Sequence, residues 1–130
     1  MRNTSDLITI FNAKNADGAG LSFLCEDFET VMLQLGTTGS ANMTVKFQGS
    51  LSDTCPDFSA AQSPTNHWNY IAVIDLQSGS AVTGNTGVAF SAADANRQYE
   101  ANVSGMKWIC AIISSWSAGY LTLKVKGLNN

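Results

Sequence analysis

The stretch "ANVSGMKWICAIISSWSAGYLTLKVKG", residues 101–127, decides the fold. Within it Met106, Trp108, Cys110 and Ile112 alternate with Lys107, Ile109, Ala111 and Ile113. A period of two belongs to a β-strand, whose successive side chains point to opposite faces. Both faces are apolar beyond Lys107, which predicts a central strand covered on both sides. "SSWSAG" (114–119) reads as a turn. "YLTLKVKG" (120–127) then places Leu121, Leu123 and Val125 inward and Tyr120, Thr122, Lys124 and Lys126 outward. The stretch is expected to be the central and last strands of a packed structure, a wall rather than a site.

The same alternation recurs upstream. "YEANV" (99–103) puts Tyr99, Ala101 and Val103 on one face, and "MTVKFQGSL" (43–51) opposes Met43, Val45 and Phe47 to Thr44, Lys46 and Gln48. In "FETVMLQLG" (28–36), Val31, Leu33 and Leu35 share a face of a strand expected to stop at Gly36, with "TTGSAN" (37–42) as a turn. "HWNYIAVIDL" (67–76) is expected to set Trp68, Tyr70, Ala72 and Ile74 on one side. "LITIFN" (7–12) has strand composition, "AKNADGAG" (13–20) is loop-like, and "LSFLCED" (21–27) fits helix or strand. "SDTCPDFSAAQSPTN" (52–66) holds both prolines and reads as a long surface loop. "QSGSAVTGNTGVAF" (77–90) offers two glycine-containing turn signals around weak β-segments, and "SAADANRQ" (91–98) is a loop or one helical turn. About eight short strands with Gly-rich turns predict an all-β fold, an antiparallel, jelly-roll-like β-sandwich. It would be a single domain over residues 1–130, with a short polar arm at 1–6.

Composition narrows the function classes. Of the 130 residues 45% are hydrophobic and only 13% are charged, against about 25% in an average soluble domain. The surface must therefore be coated with neutral Ser, Thr, Asn and Gln, which suits a β-rich protein that meets other protein surfaces. A net charge of −3 with seven scattered basic residues supplies no patch for a phosphate backbone, so nucleic acid is not expected as a partner. Lys124 and Lys126 share a strand face but read as an edge-protecting pair. No apolar run reaches the ~20 residues that a bilayer span needs, and no membrane partner is expected. "MRNTSDLITIF" shows no apolar segment followed by a cleavage site, so folding in a reducing cytosol is expected. Three cysteines are an odd count for a disulfide scaffold. Cys110 reads as a small buried hydrophobe, while Cys25 and Cys55 are free to pair or not.

Catalytic groups are sparse. His67 is the only histidine and lies at a loop edge, with no Gly-x-Ser-x-Gly elbow to complete a hydrolytic triad. Glu26, Asp27 and Glu29 crowd before a strand, Asp53 and Asp57 sit in the proline loop as turn formers, and Asp75, Asp94 and Glu100 are scattered. None makes an evident glycosidase pair. "SDTCPD" lacks the alternating acids, glycine and distal glutamate of a calcium loop. Phosphate-binding and dinucleotide glycine motifs are absent. No metal, no cofactor and no enzymatic activity are expected. Trp68 and Trp108 lie on alternating apolar faces and are expected in the core. Trp116, inside the Ser/Gly cluster, would either fold back over one end of the sandwich or stand out as a platform for a sugar or a protein. Tyr120 carries the same ambiguity. These two are the candidate binding residues.

Three segments carry a family likeness: "VKFQGSLSD" (45–53), "HWNYIAVIDLQSG" (67–79) and "YEANVSGMKWICAIISSWSAGYLTLKVKG" (99–127). Together they resemble a β-sandwich module of tailed-bacteriophage structural proteins, with "NVSG" (102–105) and "SSWSAG" (114–119) as the most telling pieces. The resemblance covers residues 28–127, and the insert "TCPDFSAAQSPTN" (54–66) departs from it. It implies a virion structural protein without catalysis, made in the host bacterial cytoplasm and carried on the capsid surface. The specific expectation is a capsid decoration, or cement, protein that binds the major capsid protein and stabilises the head. Many copies of a modest interface would give durable attachment, and lattice axes favour a symmetric homodimer or homotrimer. The arm at 1–6 and the region 13–27 are expected to order on contact. The alternative is a carbohydrate-binding or receptor-recognition module of a phage fibre or tail, motivated by Trp116 and Tyr120.

Overall fold

Phe47 and Tyr99 place their ring centroids 6.2 Å apart, although Tyr99 pairs with Leu33, far back along the strand that carries Phe47. In a straight strand Leu33 and Phe47 would be separated by roughly 45 Å, so the sheet must fold back on itself. The computed structural model describes residues 3–129 and shows how. Its strands are β1 (Asn3–Thr4), β2 (Ile8–Lys14), β3 (Gly18–Ala19), β4 (Phe23–Leu24), β5 (Thr30–Ser50), β6 (Asn69–Ile71), β7 (Val73–Asp75), β8 (Ala81–Val82), β9 (Val88–Phe90), β10 (Asn96–Asn102) and β11 (Trp108–Asn129). The described residues contain no helix, and all eleven strands join one antiparallel hydrogen-bonded sheet.

β5 and β11, 21 and 22 residues long, are the spine. They pair along almost their whole length, from Trp108 opposite Ser50 to Leu128 opposite Thr30. Both bend at the same level. Gly39 and Ser40 take φ of +79° and +55°, and Ser115 and Gly119 take +55° and +87°. The register shifts there, between Ser114 and Tyr120. "TTGSAN" and "SSWSAG", expected as turns that end strands, are instead bends inside continuous strands, because each bend faces the other and the pairing resumes beyond it. Against about eight expected strands, the fold has two long strands and nine shorter ones, four of them only two residues long.

The bend divides the sheet into a proximal half and a distal half. In the proximal half, β5 residues 30–38 lie between β10 and β11 residues 120–128, with β2 and β1 beyond β11 and β7 and β8 beyond β10. In the distal half, β5 residues 42–50 and β11 residues 108–114 are flanked by β6 and β9 on one side and β3 and β4 on the other. The concave faces meet in one core that holds Val31, Leu33, Leu35, Met43, Val45, Phe47, Ile109, Ile113, Leu121, Leu123 and Val125, all buried as their alternation predicts. Each contributes about 1.5–3 kcal/mol relative to exposure.

Between β6 and β7 the chain crosses from the distal to the proximal half at Ala72. The crossing changes which side chains face the core. Val73 is buried in it and Ile71 packs against it, whereas Ala72 and Ile74, expected beside Trp68 and Tyr70, are exposed. Residues 13–27 are not a segment awaiting a partner: Gly18–Ala19 and Phe23–Leu24 pair with β11. In the polar arm, residues 1 and 2 lie outside the described residues, while β1 pairs with Leu128 and Asn129.

Residues 52–68, which contain the insert at 54–66, cover the outer face of the distal half. Phe58 and Trp68 pack on Cys110 to make a second, smaller core, with Cys55, Tyr70 and Trp108 at its margin. Two side-chain donors from the sheet side, Trp108 and Gln48, and one within the segment, Trp68, fasten the loop by its carbonyls. Trp108 Nε1–H donates to Ser52 at 3.0 Å, Gln48 Nε2 to Phe58 at 2.9 Å, and Trp68 Nε1–H to Ala60 at 3.1 Å. This engages the amide nitrogen of Gln48, an outward position that is nonetheless fully buried, while its Oε1 has no partner among the described residues. It also bears out the reading of residues 106–114 as covered on both sides.

All three cysteines are free thiols. Cys25 belongs to the main core and Cys55 to the margin of the second, so the pair left open by the sequence is not joined. Burial pushes the Cys25 and Cys110 thiols up to about 11. A folded-state value above the unfolded 9.0 means that the stabilisation is intact below pH 9 and is lost as pH climbs to about 11. Iodoacetamide at pH 8 should therefore label Cys55 alone in the native protein and all three in urea, as read by intact mass.

At the bend, backbones approach too closely for most side chains. A Cβ at Gly119 would lie 2.5 Å from Ala41 Cα, at a φ of +87°. Gly119→Ala should cost about 3 kcal/mol in urea unfolding. Gly79→Ala, with φ +75° but nothing within 4 Å, should cost only about 1 kcal/mol.

Candidate functional site

Trp116 lies at the bend of β11. Its backbone N–H donates to Asp17 Oδ1 at 2.8 Å, its indole N–H donates to the Gly119 carbonyl at 2.9 Å, and its half-buried ring packs against the main core. The opposite bend is held in the same manner, with the Asp94 carboxylate accepting from the Ser40 and Ala41 N–H groups at 3.2 and 3.0 Å. Two carboxylates thus brace the two bends, Asp94 at Ser40 itself and Asp17 at the residue after Ser115. Asp17 was not singled out in the sequence, and its position in a Gly/Asn/Asp loop was the only signal. Tyr120 stands next to this constellation, opposite Thr38, and is 46% exposed. The structure brings Trp116 and Tyr120 to the same end of the molecule, one turned into the fold and the other to solvent.

The remaining titratable candidates are dispersed. His67 is exposed beside Pro64 and Gln62 on the insert, where its carbonyl accepts the Ser50 hydroxyl at 2.6 Å. Asp57 caps its own turn, and hydrogen bonds from the Ser59 hydroxyl and N–H hold its carboxyl below the usual range. Asp75 Oδ1 accepts from the Gln77 N–H at 2.9 Å, and Glu26 pairs with Lys107 at 3.7 Å. Among the described residues, no group of three or more His, Cys, Asp or Glu converges as a metal site would require.

A concavity lies elsewhere, on the outer face of the proximal half. Outward positions there run in register across three strands: Lys124 pairs with Gln34, and Gln34 with Gln98. In the adjacent row Gly36 lies between Thr122 and Asn96. The Asn96 side chain leans over Gly36, its Oδ1 3.0 Å from where a Cβ would lie, and a groove of about 630 Å³ opens beside it. The Asp75–Gln77 turn adds to its lining, whereas the Arg97 guanidinium turns away to the Ala89 carbonyl and the Phe90 ring. Neither Trp116 nor Tyr120 lines it. The strand patterns showed Gln34, Gln98 and Lys124 as outward. Only the register, which joins residues 34 and 98, shows that they form one surface.

Two solved structures share the architecture just described. The SPBc2 prophage-derived protein YomS superposes with a TM-score of 0.74 over 99% of this chain and 96% of its own, at 9% identity. Prophage proteins use this fold. The PBSX exported protein XepA matches with a TM-score of 0.68 and 18% identity over 98% of this chain, which spans 38% of the XepA chain. At such identities the shared property is the all-β fold. No protein-family model matches the sequence, and no curated protein matches it.

The placement of the two aromatic candidates separates a structural role from a binding one. Trp116→Ala should lower unfolding stability by roughly 2 kcal/mol, through lost packing and a lost hydrogen bond. Tyr120→Ala should change it by less than about 0.5 kcal/mol. Urea titrations of both variants check this.

Proposed function

We propose that this chain is a non-enzymatic structural protein of a phage particle. The specific role proposed is a capsid decoration protein that binds the outer surface of the major capsid lattice as a homodimer or homotrimer and stabilises the head. The observation that carries this reading is the end-to-end likeness to a prophage-derived protein: YomS, matched over 96% of its chain, consists of this fold and little else. A protein that is all scaffold acts through its shape and surfaces. The likeness to part of XepA supports the fold's use as a module within a larger phage product.

The chemistry of the side chains is consistent with such a role. Asp17, Asp75 and Asp94 accept hydrogen bonds from the backbone of turns or bends, as does Asp57, so these acids have structural employment. The outer faces offer neutral polar groups on a rigid two-layered support. A binding surface held by long paired strands loses little entropy on docking, and repetition over a lattice multiplies weak single contacts.

A second reading, a carbohydrate-binding or receptor-recognition module of a fibre or tail, is favoured by one observation, the groove beside Gly36 with its row of amides.

Co-sedimentation with undecorated capsids tests the first reading. The protein is expected to pellet with capsids in a saturable manner and to raise their melting temperature. Failure to bind capsids or any other virion part would remove it.

A further inference from the structure

We infer that the groove beside Gly36 is a binding site for a neutral oligosaccharide. This deepens the second reading above and does not depend on capsid docking. The first ground is the state of the lining groups. Among the described residues, the side chains of Gln34, Gln98, Asn96 and Lys124 line the groove and make no hydrogen bond within the protein. Two other large polar side chains are engaged: Gln48 fastens the insert, and Asn66 closes its loop through the carbonyls of Asp57 and Ala61. The amides of the groove are held in place by the strands yet left without partners.

The second ground is spacing. Gln34 and Gln98 are directly opposed in the ladder, so their Cβ atoms lie about 5 Å apart. Lys124 adds a third group one strand further on. Each amide offers a carbonyl oxygen and an NH₂ in one plane, which matches the alternate donor and acceptor demands of vicinal hydroxyls. A row of such groups at strand intervals presents one hydrogen-bonding unit for each pyranose ring laid across the strands. Gly36 contributes no side chain of its own, and the Asn96 amide that leans over it is the polar group a ligand would meet there.

The third ground is charge. Arg97 turns its guanidinium away, to the Ala89 carbonyl and the Phe90 ring, so the charged side chains left along the groove are Lys124 and Asp75, whose charges offset. That offers too little to a polyanion, whose binding needs several neutralising cations. The lining residues include no aromatic side chain, whereas the centre of a protein interface is rich in aromatics. A polyhydroxylated, uncharged chain fits best, bound weakly by each copy and more firmly by an oligomer.

The test is a ¹⁵N NMR titration of the full chain with maltotriose, cellotriose and chitotriose, following the side-chain NH₂ signals. At least one trisaccharide should shift the Gln34, Gln98 and Asn96 signals saturably. The double variant Gln34→Ala/Gln98→Ala alters two exposed positions and should keep its dispersed spectrum while binding at least about tenfold more weakly. Gln62→Ala, an exposed amide on the insert, should bind as the unaltered protein does. No saturable shift with any of the three sugars overturns the inference, and so does a shift that survives in the double variant. Capsid co-sedimentation of the same variant keeps the two readings apart. Sugars silent and capsid binding intact overturns the glycan site and leaves decoration standing. Sugars silent and capsid binding lost overturns it as well and assigns the groove to the capsid.

Discussion

The pairing of β5 with β11 through a shared bend is the constraint on which the rest of the molecule depends. Every other strand is fastened to one of these two or, for β7 and β8, hangs from β10. β1, β2, β3 and β4 line the free edge of β11, while β6, β9 and β10 take that of β5. The bend must turn both backbones by the same amount at the same level, or the ladder would part. Positive φ at Gly39, Ser40, Ser115 and Gly119 achieves this, and the close approach of Gly119 to Ala41 closes the corner. Serine in the left-handed region is disfavoured by roughly 1–2 kcal/mol. The Asp17 and Asp94 carboxylates meet that cost by binding the N–H groups of Trp116, Ser40 and Ala41.

Much of this was readable from the residues, within limits set by what periodicity measures. Alternation at Val31–Leu35, Met43–Phe47, Tyr99–Val103 and Leu121–Val125 located the core faces, and all these apolar positions are buried. Alternation reports where side chains point; it does not report whether hydrogen bonding survives a run of Ser and Gly. "TTGSAN" and "SSWSAG" therefore look like strand ends, and only their mutual register makes them bends. The shift at Ala72 is hidden for a related reason. A chain crossing between halves changes which parity faces the core while its composition stays strand-like. Residues 13–27 have too little periodicity to reveal pairings two residues long. The Gln34–Gln98 surface is a product of register between distant segments, which no local pattern contains.

The two halves finish their outer faces by opposite means, and the contrast bears on what each can bind. In the distal half, Cys110 is an apolar outward position, which would leave an exposed patch; the segment 52–68 buries it and is fastened by Trp68, Trp108 and Gln48. That face is occupied by the chain itself. In the proximal half, the outward positions of the central strands are chiefly Thr, Gln, Lys and Asn, and nothing from the chain covers the groove. The insert that departs from the phage-module pattern thus stabilises one face and leaves the other as the broad polar surface.

Low charge gains meaning in that setting. A surface solubilised by Lys and Glu repels its own copies when they are crowded, with energies that extend over a Debye length of about 8–10 Å. At 13% charged residues and a net −3, this chain relies on neutral amides and hydroxyls, whose hydration is short-ranged. For the proposed decoration role, neighbouring copies on a lattice then meet little Coulombic penalty, while each keeps a hydrated, hydrogen-bonding face toward solvent. The amides that make such a coat compatible with crowding are also those that form the groove beside Gly36. One choice of surface chemistry therefore serves dense assembly and recognition of a neutral ligand together.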